Sequence, residues 1–224
     1  MDMRQLYSVY NCRMPFTTFF FDLDETLYPA SSGLWQAIRE RINLYLGERM
    51  GFTQAEIDVR REGYFREYGT TLRGLQANFP VDTEDYLAFV HAVPLERYIH
   101  PDPATRAMLT GLPGRKFIFT NADRAHAERV LKVVGLEGLF DGILDVHVIA
   151  PYCKPMPGSF ELALKAAGRP DPASCVLIDD QARITRAARE QGLFAVLMGK
   201  DGPSPDADAV IARLTDLPAA LQLA

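Results

Sequence analysis

Phe16-Thr17-Thr18-Phe19-Phe20-Phe21-Asp22-Leu23-Asp24-Glu25-Thr26-Leu27-Tyr28-Pro29 changes character in a single step. β-branched and aromatic residues run up to Asp22. Carboxylates and a proline follow. A short apolar run closed this way reads as a buried strand, with Asp22 and Asp24 at its carboxyl end.

The texture beyond Pro29 is different. From Ser31 to about Glu96, apolar residues recur at helical intervals. Trp35, Ile38, Ile42, Leu44 and Leu46 mark one helix. Ile57, Tyr64, Phe65 and Tyr68 mark a second, with Gly69 as its stop. Thr70 is placed to cap a third, carrying Leu72 and Leu75. Tyr86, Leu87, Phe89 and Val90 suggest a fourth. After His100-Pro101-Asp102-Pro103 the pattern alternates. Strands are expected at 116–120, 143–148, 175–178 and 193–197. Helices are expected at 104–110, 124–134, 157–167 and 183–191. Such alternation argues for a parallel sheet with helices on both faces. The fold class is therefore α/β and Rossmann-like, with an inserted all-helical block. The expected division is a core of 15–29 and 98–224, an insert of 30–97 and an N-terminal extension of 1–14.

Composition sets the outer limits. The 224 residues are 48% hydrophobic and 24% charged, which suits a folded chain and not a disordered one. The net charge of -5 argues against a partner such as a nucleic-acid polymer, which wants a basic surface. No apolar stretch is long enough to suggest a membrane span. Cys12, Cys153 and Cys175 form no CxxC pair, and an odd number closes no disulfide framework. Reduced thiols and a cytoplasmic setting are the simplest reading. Cys153, beside Lys154, reads either as an inert thiol or as a reactive one. His91, His100, His126 and His147 show no metal-ligand spacing and read as structural or exposed.

In an open parallel sheet, ligands bind beyond the carboxyl ends of the strands. Those ends carry Asp22 and Asp24, then Thr120 and Asn121, then Asp179 and Asp180. A later loop adds Lys154. Alone, Asp22-x-Asp24 also fits a solvated turn, and Lys154 a surface loop. Together, the carboxylates would repel one another and raise each other's pKa unless a cation joined them. Hard oxygen donors suit Mg²⁺. Lys154 and the Thr120 hydroxyl are left to hold an anion, and a phosphoryl group meets both demands. Asp22 is then placed to attack phosphorus. Asp24 is placed to protonate the leaving alkoxide and later to activate water.

Asp22-Leu-Asp-Glu-Thr-Leu-Tyr28, Phe119-Thr-Asn121, Lys154-Pro155 and Leu177-Ile-Asp-Asp180 resemble, in order, the four motifs of the haloacid dehalogenase-like phosphohydrolase superfamily. The helical block is similar in position to that superfamily's C1-type cap. Tyr68-Gly-Thr-Thr-Leu-Arg-Gly-Leu75, with the motif at Asp22, resembles the pyrimidine 5′-nucleotidase subfamily. The resemblance implies a Mg²⁺-dependent phosphatase acting on a small phosphorylated metabolite through an aspartyl-phosphate. Asp22 is implied as nucleophile and Asp24 as acid/base. The implied metal ligands are Asp22, the backbone carbonyl of Asp24, Asp179 and Asp180. Thr120, Asn121 and Lys154 are implied to bind phosphate. Arg73, in the stretch that resembles the subfamily, fits either a residue that reaches a substrate's base or sugar or a solvated helix face. Gln181 and Ile184 depart from the subfamily pattern. Dehalogenases of the superfamily lack an acid equivalent to Asp24, so its presence favours the phosphatase. A phosphomutase, or a phosphatase of sugar phosphates or phosphoglycolate, stays open as an alternative. Outside the superfamily, a receiver-like signalling domain or a non-catalytic phosphate-binding protein is the competing class.

Overall fold

A computed structural model describes residues 16–199 and 202–223. The expected extension 1–14, with Cys12, lies outside the described residues. Strand β1 (Thr18–Phe21) is fully buried. Four helices follow it: α1 (Leu34–Glu48), α2 (Gln54–Tyr68), α3 (Thr71–Asn78) and α4 (Thr83–Val90). The chain then continues through α5 (Pro103–Gly111), β2 (Arg115–Phe119), α6 (Arg124–Val133) and β3 (Gly142–Leu144). The last part is α7 (Pro157–Ala166), β4 (Cys175–Asp179), α8 (Ala182–Glu190), β5 (Phe194–Met198), β6 (Ala209–Ile211) and α9 (Leu217–Ala220).

The strands form one parallel sheet in the order β3-β2-β1-β4-β5-β6. The order reverses between β1 and β4, so their carboxyl ends open a crevice between diverging connections. β1 sits between β2 and β4. Asp22, Thr120 and Asp179 therefore emerge side by side.

Alternation on each strand feeds two apolar layers. Phe19, Phe21, Val176, Ile178 and Val196 face one side, with α5, α6, α9 and the helical insert. Phe20, Leu177 and Ala195 face the other, with Phe160 of α7 and Ala188 of α8. Both faces are covered, as a parallel sheet requires.

The helix ends follow the sequence. Thr70 accepts a hydrogen bond from Arg73 N, and Gly69 ends α2 at a φ of 84° that favours glycine. Asp123 caps α6 through His126 N. One expectation needs correction. The strand expected at 143–148 stops at Leu144, because Asp145 accepts Arg124 N and Val148 N and turns the chain. β6 and α9 were not expected at all.

Candidate active site

The centre of the site is a buried ammonium. Lys154 is 1% exposed, and its Nζ lies 2.7 Å from both Asp22 Oδ1 and Asp179 Oδ2. Burial alone would lower its pKa, but the two carboxylates reverse that and raise it. Asn121 holds the loop that delivers it. Its Oδ1 accepts Lys154 N at 2.8 Å, and its Nδ2 donates to Lys154 O at 3.1 Å. Asn121 therefore clasps the Lys154 backbone, with one Nδ2 hydrogen left over, and it also lines the cavity beside the helical insert.

The carboxylates of Asp22, Asp179 and Asp180 each bring an oxygen within 4.8 Å of the others. Burial, together with the charges of Asp179 and Asp180, pushes Asp22 well above the usual carboxylate range, against the pull of Lys154. Asp180 is pushed up to about 7 by burial and by Asp179. Its Oδ1 is buried with no hydrogen-bond partner among the described residues. Three carboxylates thus share one ammonium, and one oxygen is left without a donor. Such a donor set fits a hard divalent cation such as Mg²⁺. Asp24 gives no side-chain oxygen to this cluster.

Asp24 is held instead from two other sides. Its Oδ1 accepts Tyr28 Oη–H at 2.6 Å and lies 3.0 Å from His126 Nε2. Burial raises the Asp24 carboxyl, but His126 and Tyr28 outweigh it and leave the group below its usual value. From the sequence, His126 reads as structural or exposed. It is buried, and it touches a candidate catalytic carboxylate. The available signal was its place in the first turn of the helix that follows Thr120. Thr120 itself is buried, and its Oγ1 accepts Ala122 N at 3.0 Å.

The helical insert overhangs these groups and borders a half-open cavity of about 360 Å³. Trp35, Ile38, Phe65, Leu72, Leu87 and Val90 line it, with Arg39 and Arg61 among the charged residues. Arg183, another residue not singled out from sequence, ties floor to roof. It lies 3.8 Å from the Phe65 ring centre, donates to Gly69 O at 3.1 Å and donates to Gln181 Oε1 at 3.0 Å. Gln181 N in turn donates to Asp179 Oδ1 at 3.0 Å. Gln181 thus supports the acidic loop, and Ile184 is buried beneath it.

The structure does not bring Arg73 to the carboxylates. Its guanidinium leaves α3 and donates to Val146 O at 3.1 Å and Tyr152 O at 2.8 Å. It joins the insert to the loop after β3. Cys153 lies close by. Its thiol is buried, donates to Tyr68 O and is pushed up by burial, the opposite of a reactive thiolate.

A family model for haloacid dehalogenase-like hydrolases matches residues 16–192. Phosphate metabolism protein 8 of Saccharomyces cerevisiae is 33% identical over 193 residues, covering 80% of this chain. The chain spans 60% of the length of that relative. Among solved structures, a HAD phosphatase from Thermococcus onnurineus matches with a TM-score of 0.61 at 20% identity, covering 92% of this chain and 97% of that one. The L-2-haloacid dehalogenase from Xanthobacter autotrophicus, with chloropropionic acid covalently bound, matches with a TM-score of 0.58 at 17% identity, covering 92% and 98%. A phosphatase and a dehalogenase thus share this fold, and the chemistry has to be read from side chains.

Proposed function

The chain belongs to the haloacid dehalogenase-like hydrolase family, and we propose that within it the protein is a divalent-cation-dependent phosphatase. Its substrate is a small phosphomonoester, with a pyrimidine nucleoside 5′-monophosphate as the favoured class. The observation that carries this reading is Lys154 Nζ at 2.7 Å from both Asp22 and Asp179, with Asp180 beside them.

Asp22 attacks phosphorus with a carboxylate oxygen, and the bond to the leaving alkoxide breaks. Asp24 gives that alkoxide a proton, then takes one from the water that cleaves the aspartyl-phosphate. In the free protein Asp24 is held ionised. An arriving phosphoryl group is a like charge, which raises its pKa and lets it take up the proton it transfers. Lys154 pulls Asp22 toward its anionic form, against burial and the neighbouring carboxylates, and offsets charge on the phosphoryl oxygens. A Mg²⁺ held by Asp22, Asp179 and Asp180 would add further charge neutralisation. Asn121 and Gln181 keep the Lys154 and Asp179 loops in place.

The presence of Asp24 supports a phosphatase over a dehalogenase, since an ester formed on carbon with halide loss needs no leaving-group acid. The cavity walls support a nucleoside over a bare sugar. Trp35 and Phe65, with their aliphatic neighbours, suit a flat base. A phosphate-release screen over nucleoside monophosphates and sugar phosphates, with and without EDTA, tests the reading. It predicts release that EDTA abolishes, strongest with pyrimidine nucleotides.

A further inference from the structure

Asp24 is gripped at one oxygen and free at the other. Tyr28 Oη and His126 Nε2 both meet Oδ1, at 2.6 and 3.0 Å. No hydrogen bond reaches Oδ2 among the described residues. The side chain of His126 is 0% exposed, and its Nδ1 is buried without a hydrogen-bond partner among the described residues. A proton on Nε2 therefore serves Asp24, whereas one on Nδ1 would be stranded. His126 is itself packed against a second imidazole. The His91 and His126 rings stack at 4.1 Å with a 15° tilt, and His91 Nδ1 lies 2.8 Å from Asp123 Oδ1.

These contacts sit on both chain crossings between sheet and insert. Tyr28 lies on the outgoing crossing, between β1 and α1. His91 lies on the return, just after α4. Arg129 of α6 fastens that return through His91 O at 2.8 Å and Val93 O at 2.7 Å. The same helix carries His126.

We propose that His126 and Tyr28 are positioning residues that fix the Asp24 side chain through Oδ1, so that Oδ2 is the oxygen that exchanges the proton. His91 braces His126 from the return crossing and so links the acid's orientation to the seat of the insert. This rests on the phosphatase reading. In the first step the proton leaves Asp24 Oδ2 for the alkoxide oxygen as the P–O bond breaks and the Asp22–P bond forms. In the second, Oδ2 takes a proton from water as its oxygen bonds to phosphorus and the Asp22–P bond breaks.

The test is leaving-group dependence. A p-nitrophenolate leaves without protonation, and an alkoxide does not. The ratio kcat/KM covers only the steps through alcohol release, so hydrolysis of the aspartyl-phosphate, common to both esters, drops out. His126→Ala is expected to lower kcat/KM for an alkyl phosphate by about 10- to 100-fold. The value for p-nitrophenyl phosphate should fall by less than about threefold on the same reasoning. Tyr28→Phe, which keeps the ring, should show the same bias more weakly. His126→Gln, which keeps a donor, should restore part of the alkyl activity. An equal loss on both esters in Tyr28→Phe and His126→Gln would overturn the positioning roles while leaving the phosphatase reading intact. Wild-type protein that released phosphate from neither ester would overturn the phosphatase reading, and this proposal with it.

Discussion

Lys154 Nζ lies 2.7 Å from Asp22 Oδ1, although 132 positions separate the two residues. The contact exists because β1 ends at the middle of the sheet and the loop before α7 folds back over it. Both groups are buried, so neither can leave its partner for water. Removing one member of such a pair strands the other, which typically costs about 3–5 kcal/mol. Lys154→Met should therefore destabilise the metal-free protein by about that much. Urea unfolding with and without Mg²⁺ checks it. Added Mg²⁺ should recover part of the loss, because it supplies the missing positive charge.

Arg73 joins the insert to the loop after β3 and stays away from the carboxylates. Hydrogen bonds from charged groups contribute about 1.5–3 kcal/mol each. Arg73→Ala should lower stability on that scale. It should change kcat/KM for a nucleotide and for p-nitrophenyl phosphate by the same factor. A selective loss on the nucleotide would restore the substrate-reaching reading of the sequence.

Gly74 marks where α3 crosses α2. A Cβ built there would collide with the Tyr64 ring. Gly74→Ala should therefore destabilise by about 1–3 kcal/mol, although alanine is the better helix former. A higher melting temperature in this variant would show that the two helices can separate without penalty.

Asp102 caps α5. It accepts Thr105 Oγ1–H at 2.7 Å, Ala104 N at 3.0 Å and Thr105 N at 3.3 Å. The Thr105 hydroxyl, helped by the two backbone donors, holds its carboxyl below the usual value. A depressed carboxylate stabilises the fold above its unfolded pKa of about 3.9, and the contribution fades as pH falls through the folded value. Asp102→Ala should cost about 1 kcal/mol at pH 7 and less at pH 3. Chemical unfolding at both values checks it. An unchanged penalty at pH 3 would remove the ionised cap from the account.

The parts legible in the sequence were those with local causes. Phe19 to Asp22 and Cys175 to Asp180 each pack an apolar run against a carboxylate stop, so strand and site residue are read together. Thr70 and Gly69 declare helix ends by their own chemistry. The illegible parts depend on distant neighbours. The edge strand Ala209–Ile211 is three residues long and only partly buried, too short for a pattern. Asp145 ends β3 through partners on two other segments. His126 gains meaning only because the first turn of α6 lands beside Asp24. Asn121 is implied as a phosphate ligand by the motif it belongs to, and its clasp on the Lys154 backbone depends on a partner 33 positions away.

The most direct test of the central claim is phosphate release from p-nitrophenyl phosphate by wild-type protein and by Asp22→Asn, in Mg²⁺ and in EDTA. The account predicts turnover by wild type in Mg²⁺, none in EDTA, and a loss on the order of a thousandfold or more in Asp22→Asn. Wild-type turnover retained by Asp22→Asn would contradict it.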